Sequence, residues 1–155
     1  MANGIAVTRM LMASLLIGLV LPLRALAQDP LDLHDPVPNI ELGPYIKSWC
    51  DGNATSTLDD ARHQQYEPLE RARINFGYRQ DACWFRVRLD NTGTTELPLW
   101  AQVDYGVLDN VDFFLEDENG VRSWAMGDTL PFNSRPVRLR SFTLPFTIPA
   151  DSSLT

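Results

Sequence analysis

Cys83-Trp84-Phe85-Arg86-Val87-Arg88-Leu89-Asp90-Asn91, followed by Leu99-Trp100-Ala101-Gln102-Val103-Asp104, decides the fold class. Apolar residues step by two through both segments, the period of a strand with one face buried. Residues 83–90 put Phe85, Val87 and Leu89 on one face and Trp84, Arg86 and Arg88 on the other. The next segment sets Leu99, Ala101 and Val103 against Trp100, Gln102 and Asp104. A third, after the Leu108-Asp109-Asn110 corner, sets Val111, Phe113 and Leu115 against Asp112, Phe114 and Glu116. Asn91-Thr92-Gly93 reads as a turn, and Asp117-Glu118-Asn119-Gly120 as a hairpin turn with the Asn-Gly signal. Residues 121–126 return, and Gly127-Asp128 ends that strand.

Working outward, residues 45–50 predict a first strand and Asp51-Gly52-Asn53 a turn. Thr57 is placed to cap a short helix over 58–65, with Asp59 and Asp60 in its first turn. Ile74, Phe76 and Tyr78 predict a second strand after the charged run 70–73. In the last strand, Phe142, Leu144, Phe146 and Ile148 share a parity with Arg138 and Arg140. Either a bulge near Ser141 shifts the register, or the arginines lie beyond the core. Pro145 and Pro149 place this segment at an edge. Residues 150–155 read as polar and turn-like. Short strands with a turn about every ten residues predict an all-β antiparallel sandwich of jelly-roll type. One or two closing strands are missing from that expectation, so residues 44–155 read as a C-terminally incomplete domain.

Residues 10–23 are almost wholly apolar and precede Ala25-Leu26-Ala27. This predicts a secretory signal peptide over 1–27; the alternative is an uncleaved anchor, for which the run is short of the ~20 residues a bilayer needs. Residues 28–43, rich in Pro and Asp, read as an irregular leader. The chain carries a net charge of −7. Cleavage would remove Arg9 and Arg24 and no acid, leaving a charge of −9. Such a chain repels nucleic acid and anionic lipid. Export places Cys50 and Cys83 where thiols can pair. Each stands beside a tryptophan in a strand-like segment; a disulfide and two buried thiols both fit this pattern.

The order Ala82-Cys83-Trp84-Phe85-Arg86, Asp90-Asn91, Asp104-Tyr105-Gly106-Val107-Leu108-Asp109-Asn110-Val111-Asp112, Gly127-Asp128, Pro131-Phe132 and Arg135-Pro136 resembles the second type of extracellular domain of seven-transmembrane receptors with diverse intracellular signalling modules. The resemblance spans roughly residues 44–149. It implies a periplasmic jelly roll similar to carbohydrate-binding modules, non-enzymatic, ahead of a seven-helix membrane region and a kinase or diguanylate cyclase output. It also implies a sensed ligand, a carbohydrate or another small polar molecule, and is compatible with a homodimer. In the family the position of Cys83 is more often aromatic, so the resemblance adds nothing to the disulfide. A free secreted carbohydrate-binding or adhesion module is the alternative reading, and a small hydrolase a more distant third.

The ligand-binding candidates are Trp84, Arg86, Trp100, Gln102 and Asp104, which share a surface if their strands are sheet neighbours. An indole stacks on the C–H face of a sugar while amide, carboxylate and guanidinium groups bond its hydroxyls. The competing reading makes the tryptophans packing residues and Arg86–Asp104 a salt bridge. Asp109, Asp128, Arg135 and Pro136 are assigned a structural role, with Arg135 tying a corner to a carboxylate; direct anion binding by Arg135 is the sharper alternative. No cofactor is expected, although Asp104, Asp109, Asp112, Asp117, Glu118 and Asp128 offer oxygens of the kind calcium takes. No catalytic residues are assigned: His34 and His63 are isolated, and no zinc spacing or nucleophile elbow is present.

Overall fold

A computed structural model of the chain describes residues 30–34, 39–69 and 77–155. The expected signal peptide, the charged run 70–73 and the strand positions Ile74 and Phe76 lie outside the described residues. The chain order is β1 (Leu31–Leu33), β2 (Lys47–Asp51), helix α1 (Leu58–Arg62), β3 (Glu67–Pro68), β4 (Ala82–Arg86), β5 (Leu89–Asn91), β6 (Leu97–Val103), β7 (Val111–Asp117), β8 (Gly120–Met126), β9 (Phe142–Ile148) and β10 (Ser152–Leu154).

These strands form an all-β sandwich. β5 lies between β1, which is parallel to it, and β10, which is antiparallel. β2 lies between β3 and β4. β7 pairs with β8 through a two-residue turn, Glu118-Asn119, with Asp117 opposite Gly120. Thr155 exchanges both backbone hydrogen bonds with Glu116, at 2.8 and 3.0 Å. β10 thereby touches β7 as well as β5, and joins those two sheets. The β6–β9 pair is the opposite layer. Leu97 and Ile148 from that layer bury against Leu31, Leu33, Leu89 and Leu154. Phe142 and Leu144 bury against Leu115 and Met126 of the β7–β8 hairpin.

The sequence reading holds for β6 and β7, whose alternation puts Leu99, Val103, Val111, Phe113 and Leu115 toward these clusters. Three points are corrected. Residues 83–90 are two strands, not one, because the chain leaves extended pairing at Val87-Arg88. Alternation does not carry across that break. Leu89 is buried and Val87 packs on the core, but Phe85 is 42% exposed. The leader is not irregular throughout: Leu31 and Leu33 enter the core on β1. Residues 150–155 are likewise not merely a turn, since β10 carries the buried Leu154. Arg138 and Arg140 lie ahead of β9, exposed, so no bulge is needed to explain their parity.

Corners are fixed by backbone contact. Gly127 has φ +147°, and a Cβ there would stand 2.0 Å from the carbonyl oxygen of Asp109. Only glycine allows that approach. Asp109 and Asp128 act in this corner through their backbones: Asp128 N–H donates to Leu108, and the Thr129 hydroxyl donates to the Asp109 carbonyl. Arg135, 8% exposed, donates from Nη1 to the carbonyls of Leu139 and Arg140 at 3.0 and 2.9 Å. Its guanidinium also lies 4.4 Å from the centre of the Phe142 ring. Arg135 thus meets carbonyl acceptors and an aromatic face, in place of the carboxylate anticipated.

Candidate functional site

The five candidate binding residues fall into two groups. Trp84 and Arg86 lie on β4, whose ladder partner is β2; Trp100 and Gln102 lie on β6, whose partner is β9. No ladder joins β4 to β6 among the described residues, so the shared surface expected of them is not formed by sheet neighbours. Trp84 is half-buried, and its ring stacks on Phe114 of β7 at 5.7 Å between centroids. Arg86 lies over the Tyr66 ring at 4.2 Å and donates to the Ala61 carbonyl at 3.4 Å. These contacts replace the Arg86–Asp104 bridge considered from sequence. Burial, more than the neighbouring Arg86 charge, governs the Tyr66 hydroxyl and raises its pKa.

Trp100, Gln102 and Asp104 do stand together on the outward side of β6 and its end. Trp100 is 65% exposed. It faces Pro145 in the ladder, a proline that β9 accepts within its pairing to β6. A strand advances ~3.4 Å per residue, so Trp100 to Asp104 makes a strip of ~14 Å. Its chemistry is one aromatic plane, one amide and one carboxylate in a row.

Sequence reasoning missed a second feature. A cleft of about 350 Å³ opens beside β2, β4 and β7, lined among others by Lys47, Arg62, Arg86, Arg88, Glu116 and the chain at Thr155. Arg62 comes from α1, whose start is fixed by a capping box between Thr57 and Asp60. It meets Glu116 from Nη2 at 3.0 Å and Nε at 3.4 Å. Arg88 is held by Asp90 at 2.9 Å and by the Ser153 hydroxyl at 3.2 Å. Lys47 and Arg86 are direct partners across the β2–β4 ladder. The available signal was the Arg86-x-Arg88 spacing; Lys47 and Arg62 needed the strand pairing to join it.

Cys50 and Cys83 form a disulfide across the same ladder, with Trp49 opposite Trp84 beside it. Among the described residues, the one cluster of three groups with metal-ligand spacing is Cys50, Asp81 and Cys83, and its two sulfurs are bonded to each other. The six acidic residues considered for calcium do not converge there; Asp117, for one, accepts from Asn119 N–H and pairs with Arg122. His34 lies beside β1, and His63 ends α1, its Nδ1 2.7 Å from the Asp59 carbonyl. No described helix is long and apolar enough to cross a membrane.

The family model described as 7TMR-DISM extracellular 2 matches residues 43–155. Neither curated proteins nor solved structures give a match.

Proposed function

The chain belongs to the 7TMR-DISM extracellular 2 family, the periplasmic sensing domains of membrane receptors, and we propose that it binds a carbohydrate or another small polar ligand on the outward strip of β6. Family membership supports a sensing role, and no catalytic step is assigned to the chain in this reading. In this reading the ligand state passes to a downstream seven-helix membrane region and from there to a kinase or cyclase output.

One observation supports the choice of strip. Trp100 is a large aromatic side chain left 65% exposed, with Gln102 and Asp104 on the same side of the strand. The indole supplies a flat apolar platform for a sugar ring. The amide and carboxylate supply donors and acceptors for hydroxyls. Trp84, already stacked on Phe114 of β7, is not part of this platform.

The test is a glycan array probed with the purified protein and with Trp100→Ala. A bound neutral glycan should lose about tenfold in affinity in the variant, the scale of one aromatic contact. Unchanged binding would refute the strip.

A further inference from the structure

The β2–β4 ladder brings together three groups that take no part in the β6 strip. Cys50 and Cys83 are direct ladder partners, bonded as a disulfide, with Cα atoms 4.0 Å apart. Asp81 lies just ahead of β4, two positions from Cys83, the step that returns an extended chain to the same side. The two sulfurs and a carboxylate oxygen of Asp81 all lie within 4.8 Å of one another. All three residues are half-buried.

The ladder holds this arrangement as well as the disulfide does. Four further residue pairs, from Lys47 opposite Arg86 to Asp51 opposite Ala82, flank Cys50 and Cys83. Trp84 in the same strand is anchored on Phe114, and the end of β2 is tied down by the bonds that Asp51 accepts from Asn53, Thr55 and Ser56. Breaking the S–S bond therefore leaves two thiols facing each other at ladder spacing. Ligands already ordered on a frame lose little freedom when a cation binds. Asp81 is ordered too, since its two oxygens accept from Nε and Nη2 of Arg79. A carboxylate oxygen in such a bond keeps a lone pair for a metal. The guanidinium also offsets part of the charge that two thiolates and a carboxylate collect. Around tetrahedral zinc, sulfur and oxygen ligands stand about 3.6–3.8 Å apart. Small side-chain rotations bring the three groups to that spacing.

We propose that reduction turns this disulfide into a site for a thiophilic divalent cation of the zinc class, with Cys50, Cys83 and Asp81 as ligands and water completing the tetrahedron. The reductant is a dithiol. Its thiolate attacks one sulfur, a mixed disulfide forms, and its second thiol closes that bond. Two electrons and two protons pass to Cys50 and Cys83, and the dithiol leaves as a cyclic disulfide. The cation then binds both sulfurs and releases their two protons to solvent. Oxidation and metal compete for the same sulfurs, so the site is loaded only in the reduced protein.

The full chain, reduced with dithiothreitol and freed of it under argon, is dialysed against Zn²⁺. Cd²⁺ serves as a second probe, because its thiolate charge-transfer absorption reports sulfur ligation. The reduced chain should take up one cation and show the cadmium band, and the oxidised chain should do neither. Zn²⁺ should raise the Tm of the reduced chain and not that of the oxidised one. Asp81→Asn should keep the cadmium band and weaken Zn²⁺ binding by about tenfold or more, the lower end of what partners around a metal contribute. Asp128→Asn, which removes an exposed acid elsewhere, should leave it unchanged. Cys50→Ser with Cys83→Ser should bind no better than the oxidised parent; if circular dichroism finds that variant unfolded, the reduced and oxidised parent carry the comparison. No uptake by the reduced chain, equal uptake in both redox states, or full affinity in Asp81→Asn would overturn the site. A reduced chain that has lost its strand signal and does not regain it with Zn²⁺ would overturn it as well.

Discussion

Asp51 ends β2, and its carboxylate replaces the ladder that stops there. It accepts from Asn53 N–H at 3.0 Å and from Thr55 and Ser56 N–H at 2.8 Å each. These bonds, led by that from Asn53, lower its pKa from 3.8 to about 2. A depressed carboxylate favours the folded state only while it is ionised. Its contribution is therefore complete above about 3.8, the unfolded value, and is lost as pH falls through about 2. Asp51→Asn should have a lower Tm than the parent at neutral pH, and the gap should narrow from about pH 4 to about pH 2, read by thermal circular dichroism. A gap constant across that range would show that the ionised form matters little. The turn was legible from Asp51-Gly52-Asn53, because aspartate bonds its own following backbone. The reach to Ser56 was not, since that depends on the path toward α1.

At the scale of the element, the β2–β4 ladder shows what a one-dimensional pattern leaves open. Cys50 and Cys83 were legible as strand residues beside tryptophans. Whether they met depended on which strands paired, and alternation carries no partner information. The ladder sets them opposite each other, 33 residues apart in sequence. The same ladder aligned Lys47 with Arg86, which is why the cationic cleft stayed invisible while Arg86 was assigned to a surface with Trp100. The break at Val87-Arg88 is a second lesson: every position from 83 to 90 fits a strand locally, so nothing in the residue types marks the interruption. Closing a loop of this length restricts the unfolded chain by about 4 kcal/mol. Replacing both residues, Cys50→Ala with Cys83→Ala, should cost roughly that much in urea unfolding, with β2 and β4 losing protection in hydrogen exchange first. An unchanged urea midpoint would mean that the ladder alone fixes the pair.

Across the whole molecule, the residues that were hardest to read are the ones that join its parts. β1 and β10 are three residues each, and three residues show too little alternation to separate strand from turn. Their extended form comes from β5, which both flank. Asn91 adds a second tie: it is 1% exposed, and its Nδ2 donates to the carbonyls of Thr95, Ile148 and Pro149. The sandwich layer on β6 and β9 was legible because seven-residue strands repeat the pattern enough to be seen. β10 matters beyond its length, since it pairs with β5 through Leu154 and meets β7 at Thr155. Leu154, 2% exposed, packs in the cluster with Leu33, Leu97 and Ile148. Leu154→Ala should then cost ~2–5 kcal/mol, the range for a leucine cut back in a packed core. Val121→Ala, on the exposed side of β8, should stay within ~0.5 kcal/mol. If β10 joins the sheets as described, Leu154→Ala should also raise hydrogen exchange at Glu116 N–H, whose acceptor is Thr155 on the far side of β10. A stability loss without faster exchange at Glu116 would confine Leu154 to its own cluster and leave β7 held by β8 and the helix through Arg62.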